Sequence, residues 1–156
     1  MNRENETRGD PANASMVGSP NPDLKTLLDY IERNVGDEYR IFSLEGLIKT
    51  RFVGREESDT KISQLRKFYD DVVTLDQDHS YTVSDINSRL ARIIPLARYS
   101  SARGNMDEQL LKLLDGGIRI VSRENDETKK RGMLSRLRRV LEAVVAYKKE
   151  SKRGVQ

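Results

Sequence analysis

Residues 84–103 read SDINSRLARIIPLARYSSAR, and this stretch decides the fold class. At about 100° per residue its apolar side chains fall on one narrow face of an α-helix. These core-facing positions are Ile86, Leu90, Ile93 and Ala97. Ser84 is a suitable N-cap, so we expect a helix from there to about Arg103. Pro95 lies inside it and predicts a kink.

The same helical spacing continues along most of the chain. We therefore expect an all-α, compact bundle of five or six helices joined by short loops. The other expected helices run from Asp23 to Val35, from Ser43 to before Gly54, from Thr60 to about Leu75, from Asn105 to Val121, and from about Glu127 to Lys149. Gly116 and Gly117 weaken the fifth helix. Tyr39 to Phe42 is the one segment with the character of a short strand.

Composition along the chain predicts one domain with two flanking segments. Residues 1–22 are rich in Gly, Pro, Asn and Ser and predict a disordered N-terminal leader. Residues 23–150 carry the helical pattern and form the expected bundle domain, and 151–156 form a basic C-terminal tail. The leader has no apolar core and does not resemble a signal peptide, so we expect a cytoplasmic protein.

The distribution of charge points to a negatively charged partner. The formal net charge of the 156-residue chain is +3. It separates into −1 over residues 1–22, −4 over 23–127 and +8 over 128–156. A positive field concentrated in this way favours a polyanion or an acidic protein.

The residues that most enzymes require are missing. The chain has no Cys and one His, which excludes thiolate metal sites and multi-histidine centres. No phosphate-binding loop, dinucleotide fingerprint or hydrolase motif occurs, and no apolar run approaches the roughly 18 residues of a membrane span. The acidic turn at 76–80 lacks the glycine and the glutamate of a calcium loop. We expect no active site, no metal and no cofactor.

The helix over 84–103 carries the strongest functional signal. Between Ile86 and Met106 it has four arginines and no acidic residue. On the helical wheel a strip beside the core face carries Arg89, Arg92, Leu96, Tyr99 and Arg103. Guanidinium groups bind phosphates and tyrosine offers a stacking face, a combination that suits unpaired nucleic acid. The alternative is a solvated arginine face without a ligand.

Two other helices add positive charge. The third helix carries Lys61, Gln64, Arg66 and Lys67. Arg66 lies at the edge of the apolar stripe, where packing of its stem and contact with a phosphate are equally consistent with the spacing. The last helix adds a diffuse positive surface that attracts RNA or an acidic neighbour without reading sequence.

Three segments in order resemble a known family. KISQLRKFYDDV at 61–72, IPLARYSSAR at 94–103 and RVLEAVVAYK at 139–148 are similar to the small subunit of type III-A CRISPR effector (Csm) complexes. The resemblance covers roughly residues 24–150. It implies an all-helical, non-catalytic protein that stacks in several copies and lines the groove holding target RNA paired to the guide. It further implies RNA contacts from Arg66, Lys67, Arg98 and Arg103, although Arg98 lies off the strip on the wheel.

The leading hypothesis is therefore a structural subunit of an RNA-guided interference complex. Its expected partners are the guide RNA, single-stranded target RNA, other subunits of the complex, and further copies of itself in a dimer or short filament. The candidate RNA-binding residues are Lys61, Arg66, Lys67, Arg89, Arg92, Arg98, Tyr99 and Arg103. The alternatives are a DNA-binding regulator with a helix-turn-helix in the third and fourth helices, and a protein-only adaptor.

Overall fold

The computed structural model describes residues 21–53 and 61–153, and the regular secondary structure in these two ranges is entirely helical, without a strand. The prediction of an all-α bundle is confirmed. The elements in chain order are α1 (Pro22–Arg33), α2 (Glu38–Phe42), a π-helix (Ile48–Val53), α3 (Ile62–Gln77), α4 (Val83–Ala102), α5 (Glu108–Arg123) and α6 (Glu127–Arg153). Residues 1–20 of the expected leader, the expected cap Thr60 and tail residues 154–156 lie outside the described residues.

The long helix α6 is the central element of the bundle. It packs against α3, the π-helix, α1 and α5, whereas α4 packs against α5 and α3. The apolar stripe expected on α6 is buried throughout, at Met133, Leu137, Val140, Leu141, Val144 and Val145. The four core-facing positions expected on α4 are each at most 3% exposed. The apolar spacing therefore predicted which face of each of these two helices enters the core.

Several helix starts differ from the expected caps. The side chain of Asn21 accepts hydrogen bonds from two backbone N–H groups of α1, so that helix begins at Pro22 rather than at Asp23. Thr82 caps α4 in place of Ser84, and Asp107 caps α5 in place of Asn105. A cap must combine extended backbone with a side chain that reaches the N2 or N3 amide. Several neighbouring side chains have the right chemistry in each case, and the sequence alone does not select among them.

The region between α1 and α3 also differs from expectation. Residues 39–42 belong to helix α2 and not to a strand, and Ser43 ends that helix instead of opening the next one. The backbone then continues into the π-helix. The aromatic ring of Phe42 meets that of Tyr30 in a T-shaped contact with centroids 5.5 Å apart. The strand-like composition of this segment therefore reflects side chains that pack against α1.

The two adjacent glycines of α5 allow close helix packing. A Cβ atom at Gly117 would lie 2.7 Å from Cδ1 of Leu137 on α6, and one at Gly116 would lie 3.0 Å from Cδ1 of Leu28 on α1. Helix α5 continues through both glycines to Arg123. Their low helix propensity is thus offset by the tertiary contacts that their small size permits.

A buried lysine joins three helices. Lys130 of α6 is fully buried, and its ammonium donates hydrogen bonds to the carbonyl of Val121 at 2.6 Å and to Oδ1 of Asn87 at 2.8 Å. Val121 lies in the last turn of α5, where a positive charge also meets the negative end of the helix dipole. Burial lowers the pKa of Lys130, and the charge of Glu124 opposes that shift.

We expect Lys130→Met to lower the free energy of unfolding by about 3 kcal/mol, because it leaves the buried carbonyl of Val121 and the partly buried amide oxygen of Asn87 without their donor. Urea unfolding followed by circular dichroism measures this change. Lys129→Met, at the exposed neighbouring position, is the matched control and should change stability by less than about 0.5 kcal/mol. Equal effects of the two substitutions would contradict the role assigned to Lys130.

The cap of α4 provides a second prediction. Thr82 Oγ1 accepts from the amide of Asp85 at 3.1 Å, and the Asp85 carboxylate accepts from the amide of Thr82 at 3.1 Å. Thr82→Ala should therefore lower stability by about 1 kcal/mol, and Ser84→Ala should have little effect. The hydrogen bonds from Thr82 lower the pKa of Asp85. The contribution of the Asp85 carboxylate to the cap is thus present above the ordinary pKa of an aspartate and is lost as the pH falls through the lowered value, whereas the bond to Thr82 Oγ1 does not titrate. Thermal unfolding at neutral and acidic pH tests both statements.

Candidate nucleic-acid interface

Helices α3 and α4 lie antiparallel and enclose a groove between them. Near one end the backbone N–H of Lys61 donates to the carbonyl of Asn105 at 3.0 Å. One turn further along, the hydroxyl of Ser100 donates to Oε1 of Gln64 at 2.7 Å. Towards the other end, Leu75 and Ile93 line one cavity together. We call the space between these helices the α3–α4 groove.

The groove consists of two small cavities that share Leu96. The cavity of about 190 Å³ is lined by Arg89 and Arg92 from α4 and by Asp71 from α3. The cavity of about 220 Å³ is lined by Tyr99 and Arg103 from α4 and its C-terminus, and by Lys67 from α3. The strip expected on α4 therefore follows the groove over its whole length, and Lys67 faces it from the opposite wall.

The positive charges of the groove are not neutralised by neighbouring carboxylates. Within the part of the chain that the structure describes, none of the four cations that line the groove has a carboxylate oxygen within ion-pair distance. They are Lys67, Arg89, Arg92 and Arg103. All four side chains are exposed. Their N–H donors are therefore available to a phosphate.

Each end of α4 pairs an arginine with a tyrosine. The guanidinium carbon of Arg89 lies 4.6 Å from the ring centroid of Tyr81, and that of Arg103 lies 5.6 Å from the centroid of Tyr99. Arg103 also donates from Nη1 to the hydroxyl of Tyr99 at 3.1 Å. Tyr81 was not among the expected residues, because it lies just before the cap of α4 and outside the helical pattern. The one sequence signal for Tyr81 is its position directly before Thr82, a residue type that commonly caps a helix.

The field along the groove is not uniform. Asp71 lines the cavity at the Arg89 end, and Asp78 and Asp85 lie close enough for Arg89 to lower their pKa values. Hydrogen bonds are the larger cause of both shifts, from Ser80 to Asp78 and from Thr82 to Asp85. Among the residues that the structure describes, no acidic side chain lines the cavity at the Arg103 end. That end is therefore the more favourable for an anion.

Three of the eight expected RNA-binding residues line neither cavity of the groove. Arg98 forms an ion pair with Asp115 at 2.8 Å, and Asp115 also pairs with Arg119. Arg66 lines a depression on α3 beside Ser63 and Asp70, and this depression borders the groove because Lys67 and Asp71 line both. Lys61 precedes α3 at the Arg103 end, and its exposed side chain is not part of the groove lining.

Several arginines of α6 bind other parts of the fold. Arg138 pairs with Asp76 at 2.6 Å and with Glu142 at 2.6 Å. Arg136 donates to the carbonyl of Ile31 at 3.0 Å, and Arg131 to that of Tyr81 at 2.6 Å. The diffuse positive surface expected on this helix is therefore reduced, because three of its arginines join α6 to other elements.

A further cavity of about 580 Å³ lies between α2 and α6. Its two carboxylates already have partners: Glu38 accepts from the hydroxyl of Tyr30 at 2.8 Å, and Glu142 from Arg138. Burial raises the pKa of Tyr30.

Across residues 21–53 and 61–153 no group of three or more His, Asp or Glu side chains is placed to hold a metal ion, and no helix there combines the length and apolarity needed to cross a membrane.

Comparison with known proteins gives one match. The family model described as Csm2 Type III-A matches residues 49–153, which is about two thirds of the chain. The matched region extends from the π-helix through α6 and contains both walls of the α3–α4 groove; α1 and α2 precede it. Neither a curated protein nor a solved structure matches the chain.

Proposed function

The chain belongs to the Csm2 Type III-A family, and from this membership in a type III-A CRISPR (Csm) complex we propose that it is a non-catalytic structural subunit that contacts guide and target RNA. The α3–α4 groove is the proposed RNA-binding surface. Its proposed contacts are Lys67, Arg89, Arg92, Tyr99 and Arg103, with Lys61 at the groove's open end. A cytoplasmic location is part of the same proposal.

The observation that carries this proposal is the set of four unpaired cations along one groove. Several exposed arginines elsewhere in the described residues are bound to carboxylates, as Arg98 is to Asp115 and Arg33 to Asp29. Three others, Arg66, Arg123 and Arg139, are exposed without an ion pair in the described ranges, but they are not collected along one groove. The cations of the groove keep their donors for a ligand. Phosphate contacts of this kind bind RNA without reading its sequence, as a subunit that accepts many different targets requires.

The arrangement of α3 and α4 is unlike a helix-turn-helix. The two helices of that motif cross at about 90–120° so that the second enters the major groove of DNA. Here the helices run side by side, with bonds from Lys61 to Asn105 and from Ser100 to Gln64. The two cavities between them, of about 190 and 220 Å³, are far too small to admit a duplex, which favours contact with a single strand.

Arrangement in the complex is the second part of the proposal. The family resemblance implies that several copies stack beside the subunits that hold the guide RNA. Arg66 and Arg98 lie outside the groove, and we propose that they face neighbouring subunits or a different part of the RNA path. The number of ion pairs around Asp115 supports this assignment, since Arg98 and Arg119 share that one carboxylate and retain unused donors.

We expect Arg92→Ala and Arg103→Ala each to weaken binding of single-stranded RNA by roughly tenfold, because each removes a charge-assisted hydrogen bond. Each should also reduce the slope of log affinity against log salt concentration by about 0.7, the value for one lost phosphate contact on a single strand. Fluorescence anisotropy with the full chain, over a range of salt concentrations, measures both quantities.

Two further arginine variants make this experiment decisive. Arg33→Ala is the control and should leave both quantities unchanged. Arg33 lies on α1, which contributes no residue to the lining of the groove, and it is paired with Asp29. Arg98→Ala tests the groove assignment, since we expect an effect much smaller than that of Arg92→Ala. The proposal is wrong if the groove variants bind RNA as tightly as the unaltered chain. A strong preference for one duplex DNA sequence would favour a regulator instead, and capture of an acidic protein without RNA would favour an adaptor.

A further inference from the structure

We propose that the Arg103 end of the α3–α4 groove is a pocket for one unpaired nucleobase, whose own phosphate is bound by Lys67 and Arg103. This inference rests on the proposed function, because it takes RNA as the ligand of the groove. It adds a statement about RNA conformation: the groove selects RNA in which one nucleotide is not stacked within a helix.

The size and lining of the cavity suit a single base. Its volume of about 220 Å³ is below the range of pockets that hold drug-sized ligands, and it matches one flat ring system. The buried ring of Phe68 forms its floor, and Leu96 and Tyr99 form an apolar wall. A base taken out of its stack needs apolar and aromatic surface of this kind.

Tyr99 is held in place and still exposed. Its side chain is 62% exposed, and its hydroxyl accepts a hydrogen bond from Arg103 at 3.1 Å. Exposed large apolar residues are few in the described part of the chain, and Leu96 and Tyr99 are two of them. An ordered aromatic ring beside two cations is the arrangement on which bases stack in single-strand binding proteins.

The polar groups in the cavity are adaptable. Oε1 of Gln64 accepts from Ser100, so its amide nitrogen retains donors, and Asn105 places a second side-chain amide in the lining. Amides offer both donors and acceptors, and they can meet the edge of any base. We therefore expect the pocket to accept all four bases with similar affinity, which agrees with a subunit that serves many targets.

The charges place the phosphate at this end of the groove. Lys67 and Arg103 line the cavity, and neither forms an ion pair within the described ranges. The other cavity has a similar volume but contains Asp71, whose carboxylate repels a phosphate. Of the two cavities, the one next to Arg103 thus combines apolar walls, amide groups and an uncompensated positive rim.

The test compares three RNAs with the full chain: a blunt duplex, the same duplex with a one-nucleotide bulge of 2-aminopurine, and a single strand. We expect the bulged duplex to bind roughly tenfold more tightly than the blunt one, which is the gain from one stacked base. The fluorescence of 2-aminopurine should fall on binding as its ring stacks. Replacing the bulged base by each natural base should change affinity by less than about threefold.

Variants of two exposed tyrosines separate stacking from general RNA affinity. Tyr99→Ala should abolish the preference for the bulge, and Tyr99→Phe should retain it because the ring remains. Tyr39→Ala is the matched control, since Tyr39 is 72% exposed on α2 and lies outside the groove. Circular dichroism confirms that each variant keeps its helix content.

The outcomes separate this inference from the function on which it rests. Equal binding of blunt and bulged duplexes, or an undiminished preference in Tyr99→Ala, overturns the base pocket. The RNA-binding function still stands in that case if Arg103→Ala weakens all three complexes. If none of the RNAs binds in a salt-dependent manner, or if Arg103→Ala has no effect on any of them, the proposed function fails and the pocket fails with it.

Discussion

The rotation of α4 about its own axis is the constraint on which the candidate site depends. Ile86, Leu90 and Ile93 are buried at 3% exposure or less, and the packing of these side chains fixes which face of the helix turns inward. A rotation of one residue step, about 100°, would expose them and cost several kcal/mol of apolar burial. The adjacent strip of arginines is therefore held facing α3. Burial of apolar surface, which carries no information about RNA, orients the charged residues.

The sequence predicted features that depend on periodicity along one helix. The core faces of α4 and α6 and the alignment of Arg89, Arg92 and Tyr99 follow from 3.6 residues per turn, and the structure places them accordingly. Helix caps were less predictable, because Thr82 and Ser84 have similar chemistry and are distinguished by backbone geometry at one residue. Lys67 was expected from the family resemblance, but its place opposite α4 comes from packing between two helices, which no spacing within one helix encodes.

Whether an arginine is available to a ligand depends on which carboxylate folding brings near it. Arg98 is adjacent to Tyr99 in the sequence, yet its partner Asp115 comes from α5, 17 residues later. Arg138 meets Asp76 across 62 residues. Counting basic residues on a helix therefore overestimates the positive surface of α6, where three arginines bind other elements, and that of α4 by one residue, Arg98. The deciding interactions are long-range, and sequence composition does not contain them.

The part of the chain that precedes the family match is joined to the same core. Leu24, Leu27 and Ile31 of α1 are buried, and Arg136 and Tyr147 of α6 donate hydrogen bonds to carbonyls of Ile31 and Phe42. Tyr30 donates to Glu38 and so ties α1 to α2. The stripe of α6 that α3 does not cover would be exposed without these helices, at a cost of about 25 cal/mol for each Å² of apolar surface. Since α6 also supports α3, the wall of the groove that carries Lys67 depends indirectly on α1 and α2. A family model that begins at residue 49 thus contains the residues of the proposed site, while part of the scaffold that stabilises them lies before it.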